Sequence, residues 1–184
     1  MNHNGVDPSR EDDAIVMAAR DDVDAFAPLY QRYSGPIFRW MYRETGDVDI
    51  ANDFTAQVFA QALQNLHRYQ PRQSSSFRSW LFTIARNLLR DSWRRYRPTS
   101  LPMHMPDHRP GPEEIAIRRT EMDELRAAFS SLPARQREIV ELRLTGLSMQ
   151  EIADIQGTSV EAVRTAQTRA FKTLRALLTK EVAR

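Results

Sequence analysis

Between Ser76 and Arg97 the chain carries two tryptophans and six arginines, and both residue types have a chemistry with nucleic acids. A guanidinium fork matches the oxygens of a phosphate, and a flat indole offers a face on which a base can stack. At about 100° per residue of helix, Arg86, Arg90, Arg94 and Arg97 share one side, while Phe77, Leu81, Ile84, Ala85 and Leu88 share the other. Asn87 and Trp80 flank the arginine side, and Trp93 lies within it. Such a stripe can be a solvated face whose stems cover apolar surface. An exposed tryptophan among cations fits contact with nucleic acid better. Trp80 stands about 60° from the centre of the apolar stripe, an edge position open to either a packed ring or a ring that meets a base.

A second constellation lies in "SMQEIADIQGTSVEAVRTAQTRAFKTLRALLTKEVAR". Ser148 followed by Glu151 has the form of a capping box, and Gly157 ends the short helix it opens. A longer helix capped by Thr158 or Ser159 then completes a helix-turn-helix layout. One side of that helix, Val160, Val163, Ala170, Phe171, Leu174 and Leu178, reads as core. The other side carries Glu161, Arg164, Thr165, Thr168, Arg169, Lys172 and Arg175, whose arginine and hydroxyl groups suit base edges in a major groove and whose later cations suit phosphates.

The elements that must position these groups are helical throughout. Helical periodicity covers residues 11–44 with a break near Gly35 and Pro36, then 49–69, then the arginine helix, with further breaks at Gly46 and between Pro71 and Ser75. Pro98, Pro102, Pro106, Pro110 and Pro112 forbid regular structure in "RPTSLPMHMPDHRPGP" and mark a linker. Beyond it lie helical stretches over 112–132, 133–146, with Pro133 suited to a first turn, 148–156 and 159–184. The expected fold is all-α. It has two small helical domains, 10–97 and 113–184, joined by a flexible linker over 98–112.

Charge is uneven beneath a net of +2. Residues 11–24 hold six acids against Arg20, and residues 78–97 hold six arginines against Asp91, which makes a local basic patch. The absence of cysteine excludes disulfides and thiolate metal sites, and no apolar run reaches the roughly 18 residues of a membrane span. A cytoplasmic protein without membrane insertion is expected. His104, Asp107 and His108 lie among prolines that prevent helical pairing of the two histidines, so this group reads as linker and no metal or cofactor is expected. No phosphate loop or nucleophile elbow points to an enzyme.

The combination is more specific than either part. "LPARQREIVELRLTGLSMQEIADIQGTSVEAVRTAQTRAFKTLRALL" resembles region 4 of bacterial sigma factors, and "FAPLYQRYSGPIFRWMY", "ANDFTAQVFAQAL" and "FRSWLFTIARNLLRDSWRR" resemble region 2, in the family's order. A chain of these two domains is similar to the extracytoplasmic-function (ECF) type of the sigma-70 family. The resemblance covers about residues 24 to 180 and implies a transcription initiation factor that directs core RNA polymerase to minus-thirty-five and minus-ten promoter elements and assists melting.

It further implies roles by matching position. Asp53, Phe54, Gln57 and Phe59 fall where the family grips the clamp helices of the polymerase largest subunit, and the second domain falls where the family meets the flap region. The family reads aspartate, hydrophobic, threonine, glutamine, glutamate where this chain has Asp53, Phe54, Thr55, Ala56 and Gln57, so two polar contacts differ. Trp80, Arg86, Asn87, Arg90 and Arg94 match the minus-ten surface, and the loop from His67 to Ser76 matches the segment that holds a flipped base. Ser159, Glu161, Arg164, Thr165, Thr168, Arg169 and Lys172 match the minus-thirty-five readers. The linker would follow the RNA exit path. An anti-sigma partner is implied, and no sensing domain is expected after the last helix. A stand-alone regulator, the nearest rival, leaves the arginine helix without a task, and a pure interaction module with no DNA contact is a third reading that the salt dependence of binding would separate.

Overall fold

The computed structural model describes the backbone at residues 8–71, 76–95 and 127–182, and the side chains there except at 8–9, 93–95, 178 and 180–182. Among the described residues every regular element is a helix. The first half contains α1 (Pro8–Ala18), a 3-10 turn (Val23–Phe26), α2 (Ala27–Thr45), α3 (Val48–Gln64), a second 3-10 turn (Leu66–Arg68) and α4 (Phe77–Arg95). The second half contains a helical turn over 127–130, α5 (Ala134–Leu144), α6 (Met149–Gln156) and α7 (Val160–Val182). The expected all-α, two-part architecture is present. The linker, with its histidines, lies outside the described residues.

The break expected at Gly35 and Pro36 is not there; α2 runs through both. A proline inside a helix costs about 3 kcal/mol. Against this, Leu29, Tyr33, Ile37, Trp40 and Met41 of the same helix are all buried, and each large apolar side chain returns roughly 1.5–3 kcal/mol. The chain breaks earlier, between α1 and α2, where the Asp22 carboxylate accepts from the Asp24 N–H at 3.1 Å and Pro28 opens α2. At the next junction Asp47 caps α3, accepting from the N–H groups of Asp49 at 2.9 Å and Ile50 at 3.0 Å.

The acidic N-terminal stretch is partly folded into this domain. Asp12 is 1% exposed and accepts hydrogen bonds from the Tyr33 hydroxyl and from Arg32, while Asp13 accepts from the Tyr69 hydroxyl. Arg20 donates to the carbonyls of Leu66 and Tyr69. These bonds tie α1 to α2 and to the chain that follows α3.

In the second half the capping box is complete: Ser148 Oγ accepts from the Glu151 N–H at 3.2 Å, and Glu151 Oε2 accepts from the Ser148 N–H at 2.8 Å. Gly157 ends α6 at φ 62°, a left-handed conformation that disfavours side chains with a Cβ. Ser159, not Thr158, caps α7, its Oγ accepting from the Ala162 N–H at 3.2 Å. Pro133 sits at the N-cap of α5, one residue before the first turn. Phe171, expected in the core, is 49% exposed.

The two halves pack directly on each other. Helix α4 has α1 and α3 on one flank and α6 on the other. Ile139, Leu142, Leu147, Ile152, Ile155 and Val163 belong to the same buried cluster as Leu29, Ile37, Trp40 and Phe77. A helix with two packed flanks buries more than one stripe, which is why Phe82 and Leu89 of α4 are buried beside the expected Phe77, Leu81 and Ala85. Among the described residues no helix is long and apolar enough to cross a membrane.

Candidate nucleic-acid interface

Helix α4 presents Asn87 and Arg90 to solvent and holds Arg86 half-buried. The side chains of Trp93 and Arg94, and all of Arg97, lie outside the described residues. Trp80 is half-buried, its ring tilted against Tyr69 at 5.3 Å and Phe77 at 5.6 Å between centroids. One edge of the indole is thus anchored on the core while part of it stays accessible on the same helix as Asn87. The loop expected to hold a base is partly described: His67 and Arg68 are exposed, Tyr69 is buried, and 72–75 lie outside the described residues.

Helix α7 places its polar side as expected. Ser159, Glu161, Arg164, Thr165, Thr168, Arg169 and Lys172 are all exposed, with Val163, Ala170 and Leu174 buried behind them. Arg164 Nη1 donates to Glu161 Oε1 at 2.9 Å, and the Thr168 hydroxyl donates to the Arg164 carbonyl at 3.0 Å. Both members of the Glu161–Arg164 pair are largely solvated, so the pair contributes about 0–1 kcal/mol and leaves the guanidinium free to turn to another acceptor. The row has a carboxylate, hydroxyls and cations within about three turns, the mix of groups that reads base edges and holds phosphates.

On α3, Asp53 and Gln57 are exposed and Phe54 is half-buried, whereas Phe59 is 4% exposed and belongs to the core. Its ring meets Tyr30 at 4.7 Å and Phe26 at 6.3 Å. Phe59 therefore supports this surface from beneath instead of lining it, a correction to its expected place. Exposed Val48, Ile50, Leu63 and Tyr30 supply apolar area on and beside the same helix.

Sequence reasoning did not anticipate the contact between the halves, which draws on the arginine helix itself. Arg78 donates to the carbonyls of Thr145 at 2.6 Å and Gly146 at 3.2 Å, placing its charge at the C-terminal end of α5. Gly146 has φ 85°, and a Cβ there would stand 3.3 Å from the Arg78 guanidinium. Ser76 Oγ donates to Glu151 Oε1 at 3.0 Å. Arg86 pairs with Glu138, Nε to Oε1 at 2.5 Å, and its Nη1 donates to the Ile155 carbonyl at 3.3 Å. Between the halves lies a cavity of about 530 Å³ lined by Trp40, Arg86, Arg90, Arg135, Arg137 and Glu138, among others.

Glu141 is the least expected of these residues. It falls in an unbroken run of buried residues, Ile139 to Leu142, so no periodicity marks it in the sequence. Burial first, then hydrogen bonding to Glu44 and the charge of Glu44, push its carboxyl up to about 10, against smaller opposing effects of Arg137 and Arg43.

The Sigma-70 region 2 family model matches residues 29–99, and the Sigma-70 region 4 model matches residues 122–174. The ECF RNA polymerase sigma factor BldN of Streptomyces coelicolor is 34% identical over 178 residues, 94% of this chain and 67% of the relative. EcfG of Rhodopseudomonas palustris, also an ECF RNA polymerase sigma factor, is 31% identical over 168 residues, 89% of this chain and 87% of the relative. The solved structure of CnrH in complex with the cytosolic domain of CnrY aligns with a TM-score of 0.70 at 25% identity, covering 92% of this chain and 97% of that one. With both regions matched in order and two such relatives more than 30% identical over most of the chain, the chain belongs to the ECF sigma factors of the sigma-70 family, transcription initiation factors that direct RNA polymerase to promoters.

Proposed function

We propose that the two halves divide the work of promoter recognition. The first half, residues 10–97, holds core polymerase through Asp53, Phe54 and Gln57 on α3 and engages the minus-ten element through Trp80, Arg86, Asn87, Arg90 and Arg94 on α4. The second half, residues 113–184, reads the minus-thirty-five element through Ser159, Glu161, Arg164, Thr165, Thr168, Arg169 and Lys172, and meets the polymerase flap. Residues 98–112 link the two. The observation that carries this reading is the row of six exposed polar residues on one side of α7, led by its exposed cap Ser159, opened by a capped helix-turn-helix and backed by a buried apolar side.

On α4 the chemistry is complementary. Arginine holds the backbone of the opened strand, the Asn87 amide reaches a base edge, and the accessible part of Trp80 receives a base that leaves the stack. Unstacking costs a few kcal/mol per step, and an aromatic surface returns about 1–3 kcal/mol per base, so polymerase binding can tip the balance. The protein acts where polymerase acts, in the cytoplasm, and carries no catalysis of its own. An anti-sigma protein as a further partner is supported by the relative CnrH, which was solved in complex with the cytosolic domain of CnrY.

The test is transcription in vitro with purified core polymerase and mapping of the start sites. A sigma factor yields discrete starts that vanish when either promoter element is scrambled. Duplex binding without core polymerase, and no initiation with it, would replace this reading with a stand-alone regulator.

A further inference from the structure

The cavity between the halves is lined by more positive charge than its own carboxylates match. Its volume of about 530 Å³ is that of a site for a small molecule. Arg86 and Arg90 of α4 and Arg135 and Arg137 of α5 line it against Glu44 of α2 and Glu138 of α5, four cations to two acids. Glu138 is already held by Arg86 and by Gln156 of α6, which leaves Glu44 facing three further guanidiniums. Arg135 donates from Nη2 to the neutral hydroxyl of Thr158 at 2.9 Å. Among the described residues neither Arg90 nor Arg137 forms an ion pair, although the charge of Arg137 also acts on the buried Glu141.

Two buried polar groups in the same lining are left over. Trp40 is 1% exposed, and its indole N–H has no hydrogen-bond partner. One face of its ring is stacked on Phe82 with centroids 5.5 Å apart, so what Trp40 has to offer a ligand is the N–H rather than a stacking surface. Gln156 donates its amide to Glu138, and its Oε1 is buried without a partner. Buried polar groups are nearly always paired, so an unpaired donor and an unpaired acceptor on one cavity call for a molecule that brings both an acceptor and a donor.

We propose that this cavity binds a small phosphorylated molecule bearing a hydroxyl group, which joins the two halves. The phosphate accepts from Arg90, Arg135, Arg137 and the Trp40 N–H, and the hydroxyl donates to Gln156 Oε1. A phosphate, with close to two charges and three acceptor oxygens, matches several guanidinium forks better than a carboxylate does. Gly157 and Thr158 also line the space and lead into α7, so the N-terminal end of a 23-residue helix adds its partial positive charge on that side. Because α2 and α4 form one wall and α5 and α6 the other, a bound molecule favours the packed arrangement of the halves by mass action. The consequence for DNA rests on the function proposed above: a phosphate held by Arg90 takes that cation away from the minus-ten strand, so ligand and strand compete.

The test is isothermal titration calorimetry of the full-length chain with ribose 5-phosphate, at ionic strength held constant with sodium chloride. Saturable binding below millimolar concentration is expected, with none by ribose. Arg135→Gln and Arg137→Gln, which alter no residue assigned to DNA, should each weaken binding by about tenfold. Trp40→Phe keeps an aromatic ring, loses the N–H and should weaken it several-fold. Arg10→Gln removes an exposed charge of α1, which does not line the cavity, and should change nothing. An unchanged far-ultraviolet helical signal establishes that each variant is folded. No saturable binding of ribose 5-phosphate, or an equal loss in Arg10→Gln and in the cavity variants, would overturn the site. Competition with a single-stranded minus-ten oligonucleotide separates the two claims: ribose 5-phosphate that binds through Arg135 and Arg137 yet leaves oligonucleotide affinity unchanged establishes the site and defeats the assignment of Arg90 to DNA.

Discussion

Arg86 and Glu138 bind the two halves together by a forked contact, with Nε donating to Oε1 at 2.5 Å and Nη2 to Oε2 at 3.4 Å, while Gln156 donates to the same Oε2 at 2.9 Å. Both side chains are about one-fifth exposed, so water weakens the pair without removing it. The arginine assigned to minus-ten DNA is thus held by the domain assigned to minus-thirty-five DNA. Glu138→Ala should release it and tighten binding of a single-stranded minus-ten oligonucleotide by about 1 kcal/mol, roughly fivefold. Fluorescence anisotropy at fixed salt measures this. Unchanged affinity would mean that Arg86 takes no part in holding the strand.

Arg164 differs from Arg86 in being open to solvent, its bond to Glu161 made on the helix surface. Arg164→Ala should weaken promoter binding through the upstream element and relax discrimination there by about 1–3 kcal/mol. A scan of single-base promoter variants checks it. If upstream substitutions hurt the natural chain and the variant alike at every position, Arg164 does not read bases.

Asp53 is exposed inside α3, and since Asp47 caps that helix, Asp53 has no capping role there. Asp53→Ala should leave the far-ultraviolet helical signal intact and reduce affinity for core polymerase by about tenfold, the loss expected for a hydrogen bond to a charged group worth about 1.5 kcal/mol. Titration of labelled protein with core polymerase decides. Full affinity in the variant would remove Asp53 from that surface.

How much of this was legible beforehand follows from where local and long-range forces act. The capping box of Ser148 and Glu151, the glycine turn at Gly157 and the polar side of α7 are set within a few residues of sequence, and all appear where expected. Long-range packing set the differences. Pro36 stays inside α2 because buried neighbours outweigh its local cost, Phe59 is covered by Tyr30 and Phe26, and Phe171 stays exposed although it falls in the apolar stripe. The contact between the halves was invisible for the same reason. Arg78, Arg86 and Glu138 are charged residues on helices that each look solvated alone, and only the pairing of α4 with α5 and α6 gives them partners.

Trp80 offers the sharpest test, because its half-buried ring belongs to both alternatives that the sequence left open. Its contacts with Tyr69 and Phe77 are packing, and a fully buried tryptophan truncated to alanine loses about 3–5 kcal/mol. A ring that keeps part of its surface in water should lose less, about 1–3 kcal/mol, which lowers Tm by roughly 2–4 °C per kcal/mol in a chain of this size. The variant should therefore fold and bind core polymerase at 25 °C. If the accessible part of the ring receives a base, the remaining defect should concentrate where DNA must be melted. Transcription from an intact duplex should then fall well below that from the same promoter carrying a pre-opened mismatched bubble, since the bubble supplies the melting that the ring assists. Equal losses on both templates, or a fall in Tm large enough to account for them, would make Trp80 a core residue that happens to reach the surface.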